Sequence, residues 1–510
     1  MKILLGIDIG TSGTKVILVS EDGRVLASKV CDYPLYTPKE GWAEQIPEDW
    51  WQASVKGVKA VMEKAQVSAD DICGVSFSGQ MHGLVAMDET GKVLRPSILW
   101  CDQRTTEECK ETVEAAGGVD ELLKMTNNNM ITGYTGSKLL WMRKHEPELF
   151  AQMTVFQCPK DYIRYRLTGK LCTEVSDASG TGLFNVRERK WSWEIIDKLG
   201  LPRAIFPPVF ESSDVVGSIT KEAAEITGLK EGMPVVAGGG DAVIQTTGMG
   251  LVRPGLLGVV LGTSGVVAMG LDKYQDNPGG RLQVFCNNAP DLWHAMGVTL
   301  AAGGSYRWYR DVFCNDESEK AKATGEDVYN LMTAEAAKAP VGSDKLIFLP
   351  YMIGERCPHH DSNARGVFFG MTLQHTKAHI NRAVMEGITY SLRQVNDLIC
   401  DMDKDIKTDT IIASGGGAKS ALWRQIIADI FGCPVITQSG SGDGGAYAAA
   451  LVAGVGVGLY KDIHEACKNL KEETRTEPNP ESQRIYAKTY ELFKALYPAL
   501  KPVFEKAAEI

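Results

Sequence analysis

A ten-residue stretch that occurs twice constrains this chain more than any other feature of its sequence. Residues 4–13 (LLGIDIGTSG) return as residues 256–265 (LLGVVLGTSG), and seven of the ten positions are identical. Each copy joins an apolar run to a turn rich in glycine and hydroxyl side chains, which favours two strands connected by a tight turn. The copies lie 252 positions apart in a chain of 510 residues. A repeat spaced by almost half the chain predicts two related domains.

Both turns are candidates for binding phosphate, because glycine lets backbone N–H groups approach an anion and hydroxyls add donors. The candidate residues are Gly10, Thr11, Ser12 and Lys15 in the first copy, and Gly262, Thr263 and Ser264 in the second. Only the first copy carries an acid, since Val260 stands at the position of Asp8. A carboxylate beside a bound polyphosphate needs a cation between them, so Asp8 predicts a Mg²⁺ site. A single turn of this kind is more often an ordinary hairpin, and the duplication is what favours a function.

Composition limits the classes of protein and partner. A chain of this length exceeds the size of most single cores, so two domains are expected. The net charge of −10 argues against a nucleic-acid partner or an anionic membrane surface. The twelve cysteines occur singly, without metal-ligand spacing, which is typical of reduced thiols. With no signal peptide and no apolar run of about 20 residues, we expect a cytoplasmic protein.

Polar residues at the end of a predicted strand form the next candidate site. The strand expected over Ile72–Ser78 leads into the sequence Gly79-Gln80-Met81-His82-Gly83, and open α/β sheets bind ligands at strand ends. A second polar segment follows at Trp100, Asp102 and Arg104. His82 could equally be a structural histidine, and Asp102 with Arg104 could be a solvated pair at the start of a helix.

Asp241 follows three glycines between a predicted strand, Pro234–Ala237, and a predicted helix. It is a candidate functional acid, although an ordinary helix cap is the alternative. Residues 442–446 repeat the arrangement, and matching the shared alanine sets Asp241 against Gly445. Two further glycine-rich turns precede predicted helices and suit the approach of a phosphate or a flat base. They contain Gly303 and Gly304, and Gly415, Gly416, Gly417, Ala418 and Lys419.

Two longer patterns resemble the signatures of the FGGY carbohydrate kinases, within the actin-like ATPase superfamily. The first is residues 133–145 (GYTGSKLLWMRKH), and the second begins at residues 366–371 (GVFFGM) and continues to Glu386. The resemblance covers the whole chain. It implies an α/β fold of two duplicated ribonuclease-H-like domains with a ligand cleft between them. The N-terminal domain, 1–248, would bind the sugar and carry the catalytic base, and the C-terminal domain, 249–510, would bind the nucleotide.

Within this family, Met81-His82 resembles the substrate loop of the xylulokinases, whereas glycerol kinases carry Arg-Glu there. The resemblance therefore implies ATP-dependent phosphorylation of D-xylulose to D-xylulose 5-phosphate by in-line transfer. It implies Asp241 as the catalytic base and, with Asp8, as a Mg²⁺ ligand. Sugar contacts would come from Gln80, Met81, His82, Trp100, Asp102, Arg104 and Asp241.

The two hairpin turns and the two later glycine turns would contact ATP, and a homodimer is implied. Three alternatives stay open at this point. The chain could phosphorylate another sugar, such as L-xylulose, ribulose, a deoxy-pentulose or gluconate. It could instead be an actin- or chaperone-like nucleotide switch, or a sugar sensor without catalysis.

Overall fold

The computed structural model describes residues 2–438 and 444–509. The first half contains the strands β1 (Ile3–Ile9), β2 (Gly13–Ser20), β3 (Val25–Asp32), β4 (Glu44–Gln45), β5 (Ile72–Gly79), β6 (Val85–Met87), β7 (Ser97–Ile98), β8 (Val155–Gln157), β9 (Thr173–Glu174), β10 (Phe184–Asn185), β11 (Lys190–Trp191), β12 (Val209–Phe210), β13 (Val215–Ser218), β14 (Pro234–Val236) and β15 (Gly239–Gly240). Its helices are α1 (Pro47–Ala65), α2 (Thr106–Ala116), α3 (Val119–Thr126), α4 (Thr135–His145), α5 (Pro147–Gln152), α6 (Pro159–Thr168), α7 (Val175–Ser179), α8 (Trp193–Lys198), α9 (Lys221–Thr227) and α10 (Asp241–Gly248).

The second half begins with the repeated hairpin. Its strands are β16 (Leu256–Leu261), β17 (Gly265–Leu271), β18 (Gln283–Cys286), β19 (Trp293–Thr299), β20 (Ile347–Leu349), β21 (Val367–Phe369), β22 (Thr410–Gly415), β23 (Val435–Gln438) and β24 (Glu472–Thr476). Its helices are α11 (Gly303–Phe313), α12 (Asn315–Thr324), α13 (Val328–Ala336), α14 (Lys377–Cys400), α15 (Ala421–Phe431), α16 (Gly444–Gly456), α17 (Ile463–Ala466) and α18 (Pro480–Ala508).

The described chain forms two compact units whose segments interleave along the sequence. The first unit contains residues 2–252, 270–294 and 444–471, and the second contains residues 253–269, 295–438 and 472–509. Segments from the second half of the sequence therefore belong to the first compact unit. The division of the chain into two domains at residue 248 stays a prediction.

The main sheet of the first unit has the strand order β13-β14-β5-β1-β2-β3. Strand β1 pairs antiparallel with β2 and parallel with β5, and β15 extends the parallel pairing of β5. The turn sequence Asp22-Gly23 after the first hairpin predicts a third antiparallel strand, and the pairing of β2 with β3 confirms it. Because parallel neighbours end at the same sheet edge, the residues that follow β1, β5 and β15 lie near one another.

Helices cover both faces of this sheet. Alternate residues of β1, from Ile3 to Ile9, share one apolar cluster with Trp50 and Trp51 of α1. On the opposite face, Leu4 joins a cluster with the alanine-rich helix α16. A Cβ on Gly6 would collide with the carbonyl oxygen of Ala446, so glycine at this position lets α16 lie directly on β1. Asp8 shares that face of the strand, because side chains alternate along it.

The second unit repeats this architecture. Strand β16 pairs antiparallel with β17 and parallel with β22, which pairs parallel with β23, and β23 pairs antiparallel with β24. The series β17-β16-β22-β23-β24 thus reproduces β2-β1-β5-β14-β13 in both order and direction. The duplicated fold expected from the repeated hairpin is confirmed.

Local predictions agree with several elements. Proline at residue 47 and acids in the following turn predict a helix over Pro47–Ala65, and α1 has those bounds. Asp241 opens α10, as its position before a predicted helix indicated. Apolar residues at three- and four-residue steps after Thr376 predict a long helix with one core-facing stripe; this helix is α14, and the stripe is buried. Residues 442 and 443, which belong to the second glycine–acid arrangement, lie outside the described residues.

Candidate active site

Asp8 lies near the end of β1 and is held by the neighbouring strand. Its Oδ1 accepts a hydrogen bond of 2.7 Å from the hydroxyl of Ser78, the residue paired with it in β5. Burial raises the pKa of Asp8, while the Ser78 hydroxyl and the positive charge of Lys15 oppose that rise. Gly445 lies against this pair, because a Cβ there would be 3.0 Å from Asp8 Oδ1 and would collide with Ser78 Oγ. Ser78 was not predicted as a site residue, because it is a small hydroxyl residue within an apolar strand.

Asp241 is the first residue of α10, and Gly240 occupies the N-cap position. Its Oδ1 accepts the N–H of Ala242 at 2.7 Å, so the carboxylate does not make the usual capping bond two or three residues ahead. Burial and the negative charge of Asp8 raise the pKa of Asp241 to about 7, while the N–H groups of Ala242 and Met81 oppose the rise. The fold therefore brings the two predicted acids and the predicted sugar loop together.

The predicted sugar residue His82 has a left-handed backbone conformation with φ of 70°. Its Nδ1 lies 2.6 Å from the carbonyl oxygen of Gly180, and its ring centroid lies 4.8 Å from that of Tyr134 and 6.3 Å from that of Phe285. The carbonyl can only accept, so Nδ1 donates a proton in this contact. The histidine is half-buried, with its ring orientation fixed.

Met81 precedes His82 in the chain, and it is buried, with only 2% of its surface exposed. Its side chain occupies the space that side chains at Gly180 and Gly240 would need, since a Cβ at either glycine would lie 2.6–2.7 Å from Met81 atoms. Met81 therefore separates two backbone segments of the site.

Lys138, in the first signature pattern, holds the backbone of the sugar loop by a hydrogen bond. Its buried Nζ donates bonds of 2.7 Å to the carbonyl oxygens of His82 and Gly133. Burial lowers the pKa of Lys138 to about 7, although the charge of Asp102 opposes this. A lysine among the apolar residues of α4 was the available sequence signal for this role.

Gln80 joins the sugar loop to the first hairpin turn rather than facing solvent. It is 1% exposed, its Oε1 accepts the Thr11 hydroxyl at 3.2 Å, and its Nε2 donates to Gln45 Oε1 at 2.8 Å. Trp100, which is 41% exposed, donates its indole N–H to Thr11 Oγ1 at 2.9 Å. Both residues were predicted to contact the sugar, but of this pair Trp100 presents the accessible surface, whereas Gln80 supports the turn.

Asp102 and Arg104 form an internal ion pair, which corrects the expectation that they contact the sugar directly. Asp102 accepts from the Arg104 N–H and Nε at 2.9 Å, from Arg104 Nη2 at 2.7 Å and from the Ala43 N–H at 2.7 Å. Arg104 also bonds to Glu44 at 2.8 Å, and its guanidinium lies 3.5 Å from the ring centroid of Trp42. Both side chains are buried, and apart from Arg104 Nη1 their polar groups are bonded within the protein.

In the second unit, the turn Gly262-Thr263-Ser264 is held by the start of α11. Gly303 and Gly304 donate their N–H groups to the carbonyl oxygens of Gly262 and Thr263, both at 2.9 Å. A Cβ on Gly303 would collide with the Gly262 carbonyl oxygen. These two glycines therefore support the turn, and their amides are not available to phosphate as the sequence suggested.

The other glycine turn of this unit has an open surface. Gly415 adopts φ of 84° beside Leu261, and no atom of the described residues lies within 4 Å of the place where a Cβ on Gly416 would be. Ala418 is buried, whereas Lys419 is exposed. The accessible part of the predicted nucleotide turn is therefore Gly415–Gly416 with Lys419.

Two family models match the chain. The N-terminal domain of the FGGY family of carbohydrate kinases matches residues 3–248, and its C-terminal domain matches residues 257–457. The chain belongs to the FGGY family of carbohydrate kinases. As an FGGY kinase it is an ATP-dependent enzyme, in agreement with the resemblance carried by its two signature patterns.

Relatives of this FGGY kinase match over nearly its full length. A xylulose kinase of Bacillus subtilis (strain 168) is 39% identical over 498 residues, which cover 98% of this chain and 97% of the relative. The ligand-bound xylulose kinase structure from Lactobacillus acidophilus has a TM-score of 0.90 at 29% identity, covering 99% of this chain and 100% of that one. The gluconate kinase structure from Lactobacillus acidophilus has a TM-score of 0.91 at 29% identity, covering 99% of each chain.

Among the described residues of this FGGY kinase, no helix combines the length and apolar character that crossing a membrane requires.

Proposed function

We propose that this FGGY kinase transfers the γ-phosphoryl group of ATP to D-xylulose and forms D-xylulose 5-phosphate. The observation that carries the proposal is the meeting of Asp8, Asp241 and the Met81-His82 loop at neighbouring strand ends of the first unit. The full-length similarity to a protein named xylulose kinase supports the choice of sugar.

Asp241 is the proposed general base. It would accept the proton of the terminal sugar hydroxyl as the bond to phosphorus forms, and orient that hydroxyl before transfer. Burial, the larger cause of its raised pKa, makes this carboxyl a stronger base than an ordinary exposed aspartate. Since the protein does little covalent chemistry in phosphoryl transfer, position and charge supply most of the rate.

His82 and Trp100 are the proposed sugar contacts. The His82 ring can exchange a hydrogen bond with a sugar hydroxyl, and its contact with the Gly180 carbonyl fixes the orientation in which it does so. The exposed face of Trp100 offers an apolar surface for the C–H groups of a sugar ring or chain. Its indole N–H is bonded to Thr11, which keeps the ring in one orientation.

Asp8 and Asp241 fit a Mg²⁺ site. Both offer hard carboxylate oxygens, and the mutual repulsion that raises the pKa of Asp241 is the kind that a divalent cation relieves. When bound, the ion would neutralise charge on the β- and γ-phosphates. We propose that Gly10, Thr11, Ser12 and Lys15, with Gly262, Thr263 and Ser264, contact those phosphates, and that Gly415–Gly416 and Lys419 contact the rest of ATP.

The test is a coupled assay of ADP release with Mg-ATP, with and without D-xylulose, beside D-ribulose, L-xylulose, glycerol and gluconate. A rate specific to D-xylulose is expected. Gluconate is the second candidate, because the gluconate kinase structure matches this fold as well as the xylulose kinase structure does. A rate with gluconate alone would keep the mechanism and replace the sugar. Sugar-independent ATP hydrolysis would instead favour a nucleotide switch.

A homodimer and a cytoplasmic location stay predictions of the family resemblance. Light scattering coupled to size-exclusion chromatography would separate a dimer from the 55.5 kDa single chain.

A further inference from the structure

A cluster of buried charges lies behind the proposed catalytic residues of the first unit. Lys160 Nζ lies 2.6 Å from Asp161, 2.9 Å from Asp177 and 3.3 Å from Glu174, and Arg164 lies 2.9 Å from Asp161. All five side chains are fully buried. A buried charge is stable only beside a close partner of opposite charge. These ion pairs therefore fix the relative positions of the chain segments that carry them.

The cluster does not need a metal ion. Cys158, Asp161 and Asp177 place ligand atoms within 4.8 Å of one another. The Lys160 ammonium already lies within hydrogen-bond distance of both carboxylates. It supplies the positive charge that an ion would bring, so the group is an ion-pair cluster.

Glu174, a member of this cluster, also binds the hydroxyl of Ser176 and fixes its orientation. Ser176 Oγ donates to Glu174 Oε1 at 2.8 Å, and its N–H donates to Glu174 Oε2 at 2.7 Å. Because the hydroxyl proton is used, the oxygen remains as an acceptor. It accepts the Gly240 N–H at 2.9 Å and the Asn288 side-chain amide at 3.3 Å.

Gly240 immediately precedes Asp241 and needs such an external support. It is the last of three consecutive glycines, and glycine constrains its own backbone less than any other residue. Bulkier residues do not fit, since a Cβ at Gly239 would collide with Asn288 and one at Gly240 would lie 2.6 Å from Met81 Cγ. The direction of the Asp241 backbone therefore depends on bonds from outside the glycine run.

The same short segment also holds the sugar loop. Gly180, the residue after α7, offers the carbonyl oxygen that accepts His82 Nδ1–H at 2.6 Å. Segment 174–180 thus contacts the residue before the proposed base at one end and the proposed sugar contact at the other.

We propose that Ser176 is a positioning residue for Asp241. The inference rests on the proposed function of Asp241. Ser176 acts through the Gly240 peptide, which directs the first residue of α10 toward the sugar hydroxyl. Small errors in the position of a reacting group lower the rate strongly while leaving distant binding contacts intact.

The experiment compares S176A, S176T and the control S179A in the coupled assay with D-xylulose. Ser179 is a matched control because it lies in the same helix, is equally buried and also accepts a backbone N–H, that of Cys286, at 3.1 Å. We expect S176A to lower kcat about tenfold or more with KM for ATP within about twofold of wild type. S176T, which keeps the hydroxyl, should restore kcat, and S179A should leave it within about twofold.

Wild-type kcat in folded S176A would overturn the proposal, and so would an equal loss in S179A, which would indicate a general effect on α7. If S176A does not fold, S176C replaces it, because a thiol of similar size is a weaker acceptor and should give a partial loss of kcat. Failure of the proposed function is distinguishable, since the wild type would then lack D-xylulose kinase activity or D241N would retain it.

Discussion

Asp8 and Asp241, which are 233 positions apart in the sequence, are electrostatically coupled in the folded protein. Burial and the charge of Asp8 together raise the pKa of Asp241 to about 7. Asp8 itself is fixed by Ser78, so the repulsion is built into neighbouring strand ends. A pair of acids held in this way suits a site that binds a divalent cation and removes a proton.

Asp241→Asn should lower kcat by at least ~10² while keeping KM for ATP and for sugar near wild type. Asparagine retains an acceptor for the Ala242 N–H, so the start of α10 is preserved, but it cannot take a proton. Steady-state kinetics with both substrates checks this. Turnover near the wild-type value would reduce Asp241 to a structural residue.

His82→Ala should raise KM for the sugar roughly tenfold, the value of one or two lost hydrogen bonds, without changing KM for ATP. His145→Ala is the matched control, because His145 is 54% exposed and stacks on Trp141. Kinetics over both substrates separates the effects. An unchanged sugar KM in H82A would remove this residue from the binding site.

Asp102→Asn should lower the thermal unfolding midpoint strongly, because breaking a buried ion pair costs about 3–5 kcal/mol. The new amide NH₂ group would face the Arg104 guanidinium and the Ala43 N–H. Both are hydrogen-bond donors, so neither can accept a bond from the amide. Glu107→Gln, in an exposed pair with Lys110, should leave the midpoint unchanged. A raised sugar KM with wild-type stability would instead restore the direct sugar contact expected from the sequence.

Gly416→Ala should fold normally and raise KM for ATP. Its backbone has φ of −60° and ψ of −40°, which alanine adopts readily, and within 2–438 and 444–509 no atom lies within 4 Å of the new Cβ. A ligand lying on this turn would meet the added methyl group. Thermal unfolding tests whether the variant folds normally, and steady-state kinetics tests whether KM for ATP rises. The KM for sugar is the internal control and should not change. Wild-type KM for ATP would place the nucleotide elsewhere.

Glu355→Gln should change stability in a pH-dependent way. Burial raises the pKa of Glu355 from 4.5 to about 8, although the N–H groups of Leu300 and Arg356 oppose this. The neutral acid is favoured in the folded protein, so its stabilising effect is complete below pH 4.5 and is lost as the pH rises through about 8.

Glutamine stays neutral and can still accept from Leu300 and Arg356, so E355Q should melt above the wild type at pH values above 8 and like it in mild acid. Melting curves across this range, with the exposed Glu319→Gln as control, provide the test. A gap between E355Q and wild type that does not vary with pH would contradict the assignment.

Much of the fold could be predicted because it is encoded locally. The repeated hairpin, the bounds of α1 and the position of Asp241 at the start of α10 follow from apolar periodicity and glycine placement. The site was harder to predict, because residue types indicate which groups can bind but not which are already occupied. Gln80 and Asp102 have polar groups that could bind a sugar, but these groups already make hydrogen bonds within the protein.

The sequence by itself determined the duplicated architecture, the single acid of the first hairpin turn and the family. Only the tertiary structure decided that Arg104 is internal, that Gly303 and Gly304 hold a turn, and that Ser176 holds Gly240. The physical reason is the range of the interactions. Strands, turns and helix starts depend on neighbours a few residues away, whereas Asp102 meets Ala43 across 59 positions and Ser176 meets Gly240 across 64. Such pairs are created by strand pairing and helix packing, which no local pattern specifies.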